Sequence, residues 1–234
     1  MTIGSPSGSG ATQNDIADGA DESDGRWRTI YDSALVGGAD TEIQTGGSGA
    51  APVFESGGVQ MSSFTDGDWG YLSVGSAQPA DTSVERGTAL IKARCGFSQS
   101  IGNLISYHQI GQIGTVKDAD SKTDHAMFRP HVGDSTPGNV RVSDGAATTD
   151  GSVAYPPTDE IHNYTVLIDR AGHFLDPGHT GFYIDGDPRA GDAPNADLAV
   201  VPGGSGDDVW GLHHRVDGDR EPFGANHLEV AIRP

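Results

Sequence analysis

The sequence predicts an all-β protein whose antiparallel strands pack as a β-sandwich. Three observations carry that prediction. Roughly a dozen apolar runs of strand length are bounded by Gly, Pro, Asn or Asp, the mark of short strands joined by turns. Gly supplies 35 of the 234 residues and Pro 13, against 35% hydrophobic residues, a balance that suits turns and suits long helices badly. Helical apolar spacing does not persist. TSVERGTALIKAR comes nearest, but Gly87 interrupts it and its apolar positions alternate.

Taken in order, residues 1–24 are mostly Ser, Gly, Ala, Asp and Asn. Alone they cannot bury enough surface to offset their ordering entropy. They read as a flexible N-terminal arm, either a disordered tail or a segment that orders against a neighbouring subunit. The body, 25–234, is long enough for one large β-domain with its own core. RWRTIYDSALV opens it as a first strand, and VGGADTEIQTGG ends in a Gly turn. GGVQMSSF, the Asp66–Asp68 turn, WGYLSVG and GTALIKARCGF follow, the last with β-branched and alternating positions. NLISYHQIGQIG, AMFRPHVG and NVRVSDG are the next strands, then NYTVLIDR and GFYIDG around a Gly/Pro/His-rich connection. LAVVPGG, DVWGLHHRVDG and NHLEVAIRP complete the set. The stretches Thr115–Asp124 and Gly145–Thr158 read as surface loops. No fixed period recurs, which disfavours a propeller or solenoid.

Charge narrows the partners. Thirty-three acidic residues against 14 basic ones give a net charge of -19, the wrong sign for neutralising phosphates, so nucleic acid is not an expected partner. Only Lys92, Lys117 and Lys122 are lysines. An acidic, lysine-poor surface suits work in molar salt, where a Debye length of about 3 Å screens the self-repulsion; an ordinary acidic protein is the alternative. No run of about eighteen apolar residues exists, so no membrane-inserting helix is expected. MTIGSPSGSGATQNDIADGADESDG lacks the basic and apolar regions of a secretory leader. The expectation is a chain that stays in the cytoplasm or leaves by another route, such as assembly into a virus particle. Cys95 stands alone in a strand-like run and reads as a buried thiol.

The order of runs, from GGVQM and WGYLSVG through NYTVLIDRAG and GFYIDGD to VWGLHHR and LEVAIRP, resembles the concanavalin A-like jelly roll in its laminin-G or pentraxin-like form. In that family a hairpin ending in Tyr-hydrophobic-Asp-Gly recurs, and Phe182 to Gly186 matches it. The closing strand there often begins with an aromatic-Gly pair, as at Trp210-Gly211. The resemblance covers about residues 25–234 and implies an antiparallel jelly-roll β-sandwich behind the arm. Its glucanase branch carries alternating acids on one strand, because two carboxylates must flank the scissile bond, about 5–5.5 Å apart in retaining enzymes. Here Glu55 and Glu229 stand alone, and Asp159 and Glu160 sit in a loop-like stretch. That departure argues against glycoside hydrolysis and for a non-enzymatic role.

Two kinds of binding residue remain. The resemblance implies calcium in Asp-rich loops, where carboxylates can converge on a hard cation. Asp118, Asp120 and Asp124 in KDADSKTD, and Asp185 and Asp187 in IDGD, are the candidates; solvated turn aspartates are the alternative. Trp69, Tyr71, Tyr107 and Trp210 either stack on a sugar ring or fill the sandwich core. His213 and His214 are adjacent, so on a strand they take opposite faces and cannot share a metal. His173 and His179 flank one connection and could approach each other. Neither a GxSxG elbow nor a phosphate loop occurs.

Together these readings imply a virion structural or attachment protein (turret, spike or tail-fibre type) of a tailed virus of haloarchaea. It would be a homo-oligomer docked to other virion proteins through the arm, and it would bind host surface glycan. A carbohydrate-binding module of a non-viral halophile protein, cytoplasmic or extracellular, is the alternative. A glycoside hydrolase is the third reading.

Overall fold

Alternating β-branched and aromatic runs pair edge to edge in the computed structural model. It describes residues 27–35, 42–46, 53–55, 57–61, 69–73, 87–97, 105–112, 124–129, 131–132, 139–153, 160–188, 197–202, 210–217 and 223–233. The described residues contain strands and turns and no helix, and every strand pair is antiparallel. The arm expected at 1–24 lies outside them.

One sheet has nine strands. Its path runs β14 (Asp187–Pro188), β13 (His179–Ile184), β12 (His162–Asp169), β6 (Thr88–Phe97), β17 (Phe223–Arg233), β4 (Gly58–Met61) and β3 (Val53–Glu55). β1 (Arg28–Ala34) also pairs with β17, and β15 (Asp197–Leu198) with β13. The other sheet has eight. It runs β11 (Thr148–Ser152), β10 (Asn139–Asp144), β8 (Asp124–Arg129), β7 (Ile105–Gln112), β16 (Trp210–Asp217), β5 (Trp69–Ser73) and β2 (Glu42–Gly46), with β9 (His131–Val132) on β7. The central neighbours on each path, β12-β6-β17-β4 and β7-β16-β5, are distant in sequence, as in a jelly roll rather than a meander.

Period-two alternation sends one side of each sheet into a shared core. Ile91, Ala93 and Cys95 of β6, Tyr164, Val166 and Ile168 of β12, and Leu228, Val230 and Ile232 of β17 enter from the nine-stranded sheet. Ala126, Phe128, Val140 and Val142 enter from the other. Phe128 bridges the two layers, edge-to-face with Tyr164 (centroids 5.4 Å apart) and Phe182 (5.2 Å). Cys95 is fully buried, and burial pushes its thiol well above its ordinary pKa, as an inert core residue requires.

The GFYIDGD hairpin has a physical cause. Asp185 (φ 53°) and Gly186 (φ 80°) are the two residues between Ile184 and Asp187, which pair directly. Positive φ at both positions makes a type I′ turn, whose twist matches the strands. At Gly58 (φ 127°) a side chain is excluded, since a Cβ would collide with the Ala225 carbonyl and lie 2.9 Å from Asn226 Cα.

Several expectations need correction. Thr148–Ser152, expected as loop, is edge strand β11: its mostly exposed residues pair with β10 through backbone bonds and one Arg141–Asp150 ion pair, so no apolar alternation announces it. Asp124 opens β8 instead of closing a loop. β3 and β14 are too short to show a pattern, and among the described residues of LAVVPGG only Leu198 is strand, in β15. The last strand opens on Phe223-Gly224; Trp210-Gly211 opens the strand before it.

Candidate functional site

The register of the eight-stranded sheet decides which expected site residues meet. β16 lies between β5 and β7. Arg215 stands opposite Trp69 on one side and Tyr107 on the other, and Tyr107 in turn opposes His131. Directly opposed residues share a face, and residues two apart return to it. Trp69, Arg215, Tyr107 and His131 therefore form one row across four strands. Tyr71, His213 and Gln109 form the next. In the third row Gly211 opposes Gly111, between Ser73 and Met127.

This face is the sheet's outward one. On the opposite face Ile110 opposes the core residue Phe128, and Gln112 opposes the core residue Ala126. Trp210 opposes Gln112 and so belongs to that core-side face. The four expected aromatics thus divide three to one. The register likewise puts His213 and His214 on opposite faces, as expected. Toward β8 the outward face is packed within the chain, with Met127 fully buried and His125 nearly so. Beyond it Arg141 grips Asp150 with both ends of its fork, at 2.6 and 2.9 Å.

The Asp candidates fare differently. Asp118 and Asp120 lie outside the described residues; Asp124 pairs by register with Asp144 on β10. Asp185 is occupied by its own hairpin. One carboxylate oxygen accepts the Asn163 amide at 2.9 Å, and the other meets His162 Nδ1 at 2.6 Å. Asp187 is exposed on the two-residue strand β14. Both Asp185 oxygens are thus engaged within the chain. Among the described residues no three His, Cys, Asp or Glu side chains gather as a metal-binding group.

Sequence reasoning missed a second constellation, on the outer face of the nine-stranded sheet. Asp169, fully buried at the end of β12, accepts the amides of Gly172 (2.8 Å), His173 (3.1 Å), Phe174 (2.6 Å) and Leu175 (2.8 Å). The Thr88 hydroxyl donates to it at 2.6 Å, and His173 Nδ1 lies 2.9 Å from the same hydroxyl. Burial pushes the Asp169 carboxyl up, but these hydrogen bonds outweigh it and leave its pKa below the ordinary value. Burial and the Arg233 charge hold the His173 imidazole down, against the pull of Asp169. A neutral His173 then donates Nδ1–H to Thr88, which donates to Asp169. Asp169 and Thr88 are buried, and the chain of bonds anchors the loop. The loop carries Phe174 onto Trp27 (stacked, 5.4 Å) under Arg233 (5.1 Å), roofing Leu90, Leu167 and Ala231. Burial, with help from the Asp197 and Asp169 charges, pushes the Tyr183 hydroxyl up to about 12 in the same cluster. His173 and His179 do not join: His179 binds Asp197 at 2.8 Å.

The fold so defined is an antiparallel jelly-roll β-sandwich. It is similar to the carbohydrate recognition domain of Emp46p in its metal-free form, with a TM-score of 0.54 and 11% identity over 92% of this chain and 93% of that one. It is also similar to the binding domain of botulinum neurotoxin serotype D/C VPI 5993, with a TM-score of 0.52 and 10% identity over 86% of this chain and 48% of that one. A third similar structure is a botulinum neurotoxin type C whose access to cells depends upon interaction with two ganglioside molecules; its TM-score is 0.52 and identity 12%, over 94% of this chain and 49% of that one. At such identities the likeness shows the fold. No protein-family model matches the sequence, and no curated protein matches it.

Proposed function

We propose that this chain is a non-enzymatic glycan-binding jelly roll, and that the sugar stacks on the outward face of the eight-stranded sheet at Trp69, Tyr71 and Tyr107. The observation that carries the reading is the register, which collects one of the three tryptophans and two of the six tyrosines into two adjoining rows. Aromatic rings with polar neighbours are what a sugar needs, since its ring faces are apolar and its edges are hydroxyl. The neighbours of known fold support the reading, because they include a carbohydrate recognition domain and a ganglioside-dependent toxin.

The same face speaks against hydrolysis. Its carboxylates among the described strands are Glu42 on β2, Asp150 on β11 and Asp217 on β16. Glu42 aligns through Ser73 with Gly211, six residues from Asp217, or about 20 Å along the strand. Glycosidase carboxyls stand no more than about 9.5 Å apart. A glycan array probed in molar KCl, with and without chelator, tests the proposal. Binding that survives the chelator is the expected result, and silence on every glycan contradicts it.

In its fuller form the proposal places the module on a virus particle as a homo-oligomeric attachment protein docked through residues 1–24. Composition and the arm support that part. Light scattering in molar salt is expected to give a closed oligomer for the full chain and a smaller species once 1–24 are removed. A monomer in both cases contradicts it.

A further inference from the structure

An open sheet ends in strands whose outer N–H and C=O groups can pair with another chain. Proteins guard such edges with charge, proline, a bulge or brevity. The described edges of this fold carry those guards, with one exception. β1 has a register break between Thr29 and Tyr31 and bears Arg28 and Asp32. β3 is three residues long and ends on Glu55, β14 is Asp187–Pro188, and β9 and β15 are two residues each. β2 opens on Glu42.

β11 is the exception. It runs for five residues, TTDGS, in unbroken register with β10, and all but Gly151 are exposed. Among the described strands it pairs with β10 alone. Its one charge, Asp150, is cancelled by the fork of Arg141 at 2.6 and 2.9 Å. The strand is also held in place by polar bonds. Asp144 Oδ1 accepts the amides of Ala146 and Ala147, at 2.9 and 2.8 Å, and fixes the turn from β10.

We propose that β11 pairs antiparallel with β11 of a second copy of this chain, joining two eight-stranded sheets across a two-fold axis. Charge selects a second copy as the occupant. With 33 acids against 14 bases, two copies repel each other over most of their surfaces. They can meet where each chain cancels its own charge, as Arg141 does for Asp150. A two-fold axis through the sheet sets identical strands antiparallel, the sense of the β10–β11 pair itself. The hydroxyls of Thr148, Thr149 and Ser152 supply cross-strand contacts of the kind that stabilise such pairs. The inference is independent of glycan binding and of the arm.

The test uses the full chain in molar KCl over a range of protein concentrations, with sedimentation and hydrogen–deuterium exchange read together. The expected result is a concentration-dependent step to an even-numbered species, with slower amide exchange in Thr148–Ser152 over the same range. Thr149→Lys places on the edge the side chain that ordinarily guards one, and is expected to weaken association by about tenfold or more. Arg141→Gln leaves Asp150 bare in the seam, where its desolvation opposes pairing at any salt, and is expected to weaken association too. The double variant Arg141→Gln/Asp150→Asn is expected to restore it. An ion pair that served only to hold β11 on β10 would give no such rescue. A monomer at every concentration overturns the inference. So does association that leaves exchange in Thr148–Ser152 unchanged, a result that leaves assembly through the arm standing. Melting temperatures show whether each variant is folded, and exchange in the wild type decides the question even if a variant is not.

Discussion

Replacing Asp169 with alanine is expected to lower stability by about 3–5 kcal/mol, although no charged partner is lost. The carboxylate gathers four amides and the Thr88 hydroxyl. An unsatisfied buried group costs about 1–3 kcal/mol, and the amides here are only part-buried, so water recovers some of the total. At roughly 2–4 °C per kcal/mol for a chain of this size, the melting temperature falls by about 6–20 °C. Asp169→Asn is expected to lose much the same, because its NH₂ would face amide donors. Acid narrows the gap between wild type and the Asn variant. The folded pKa of Asp169 lies below its unfolded value of about 3.9, so its contribution is complete above that value and is lost as pH falls through the folded pKa. Wild type should therefore steepen its loss of stability below about pH 4, and Asp169→Asn should lack that component. Thermal unfolding at fixed salt across pH 3–7 measures both effects; a variant that melts with wild type contradicts the clamp.

Phe128→Ala is the second large effect, expected at about 3–5 kcal/mol. The ring is fully buried and touches aromatic partners of the opposite sheet at two edges, so its removal leaves a cavity where the layers meet. Each edge-to-face pair adds about 0.5–1.5 kcal/mol beyond area. Phe128→Leu refills much of the volume and should cost about half as much. Denaturant melts monitored by near-ultraviolet dichroism read the difference, and equal midpoints for wild type and Phe128→Ala would place Phe128 outside the inter-sheet core.

What the sequence makes legible follows from period two. The long strands β6, β12 and β17 carry long apolar or β-branched runs, buried on both sides, and announce themselves, and Asp185-Gly186 announces the tight turn between Ile184 and Asp187. Register is another matter. Nothing local says that Trp69 aligns with Arg215, or that Trp210 falls on the opposite face, because a slip of one residue exchanges the faces of a strand. Aromatics suited equally to core and surface are sorted only by pairing. Edge strand β11 is held by backbone bonds and an Arg141–Asp150 pair, neither of which leaves an apolar trace. The Asp169 clamp is hidden for a related reason. Four of its donors are main-chain amides, which every sequence has, and Thr88 is 81 positions away. The bonds of Asp185 to His162 and Asn163, across 22–23 positions, are equally hidden from a local reading.

The account turns on the outward face of the eight-stranded sheet, and one comparison tests it most directly. The tightest glycan found on the array is titrated into wild type and into the double variant Trp69→Ala/Tyr107→Ala, with folding checked by melting temperature. Loss of aromatic anchors of about 2 kcal/mol or more predicts binding weakened well beyond tenfold in a protein that remains folded. Unchanged affinity in the folded double variant would contradict the account and move the glycan site elsewhere on the molecule.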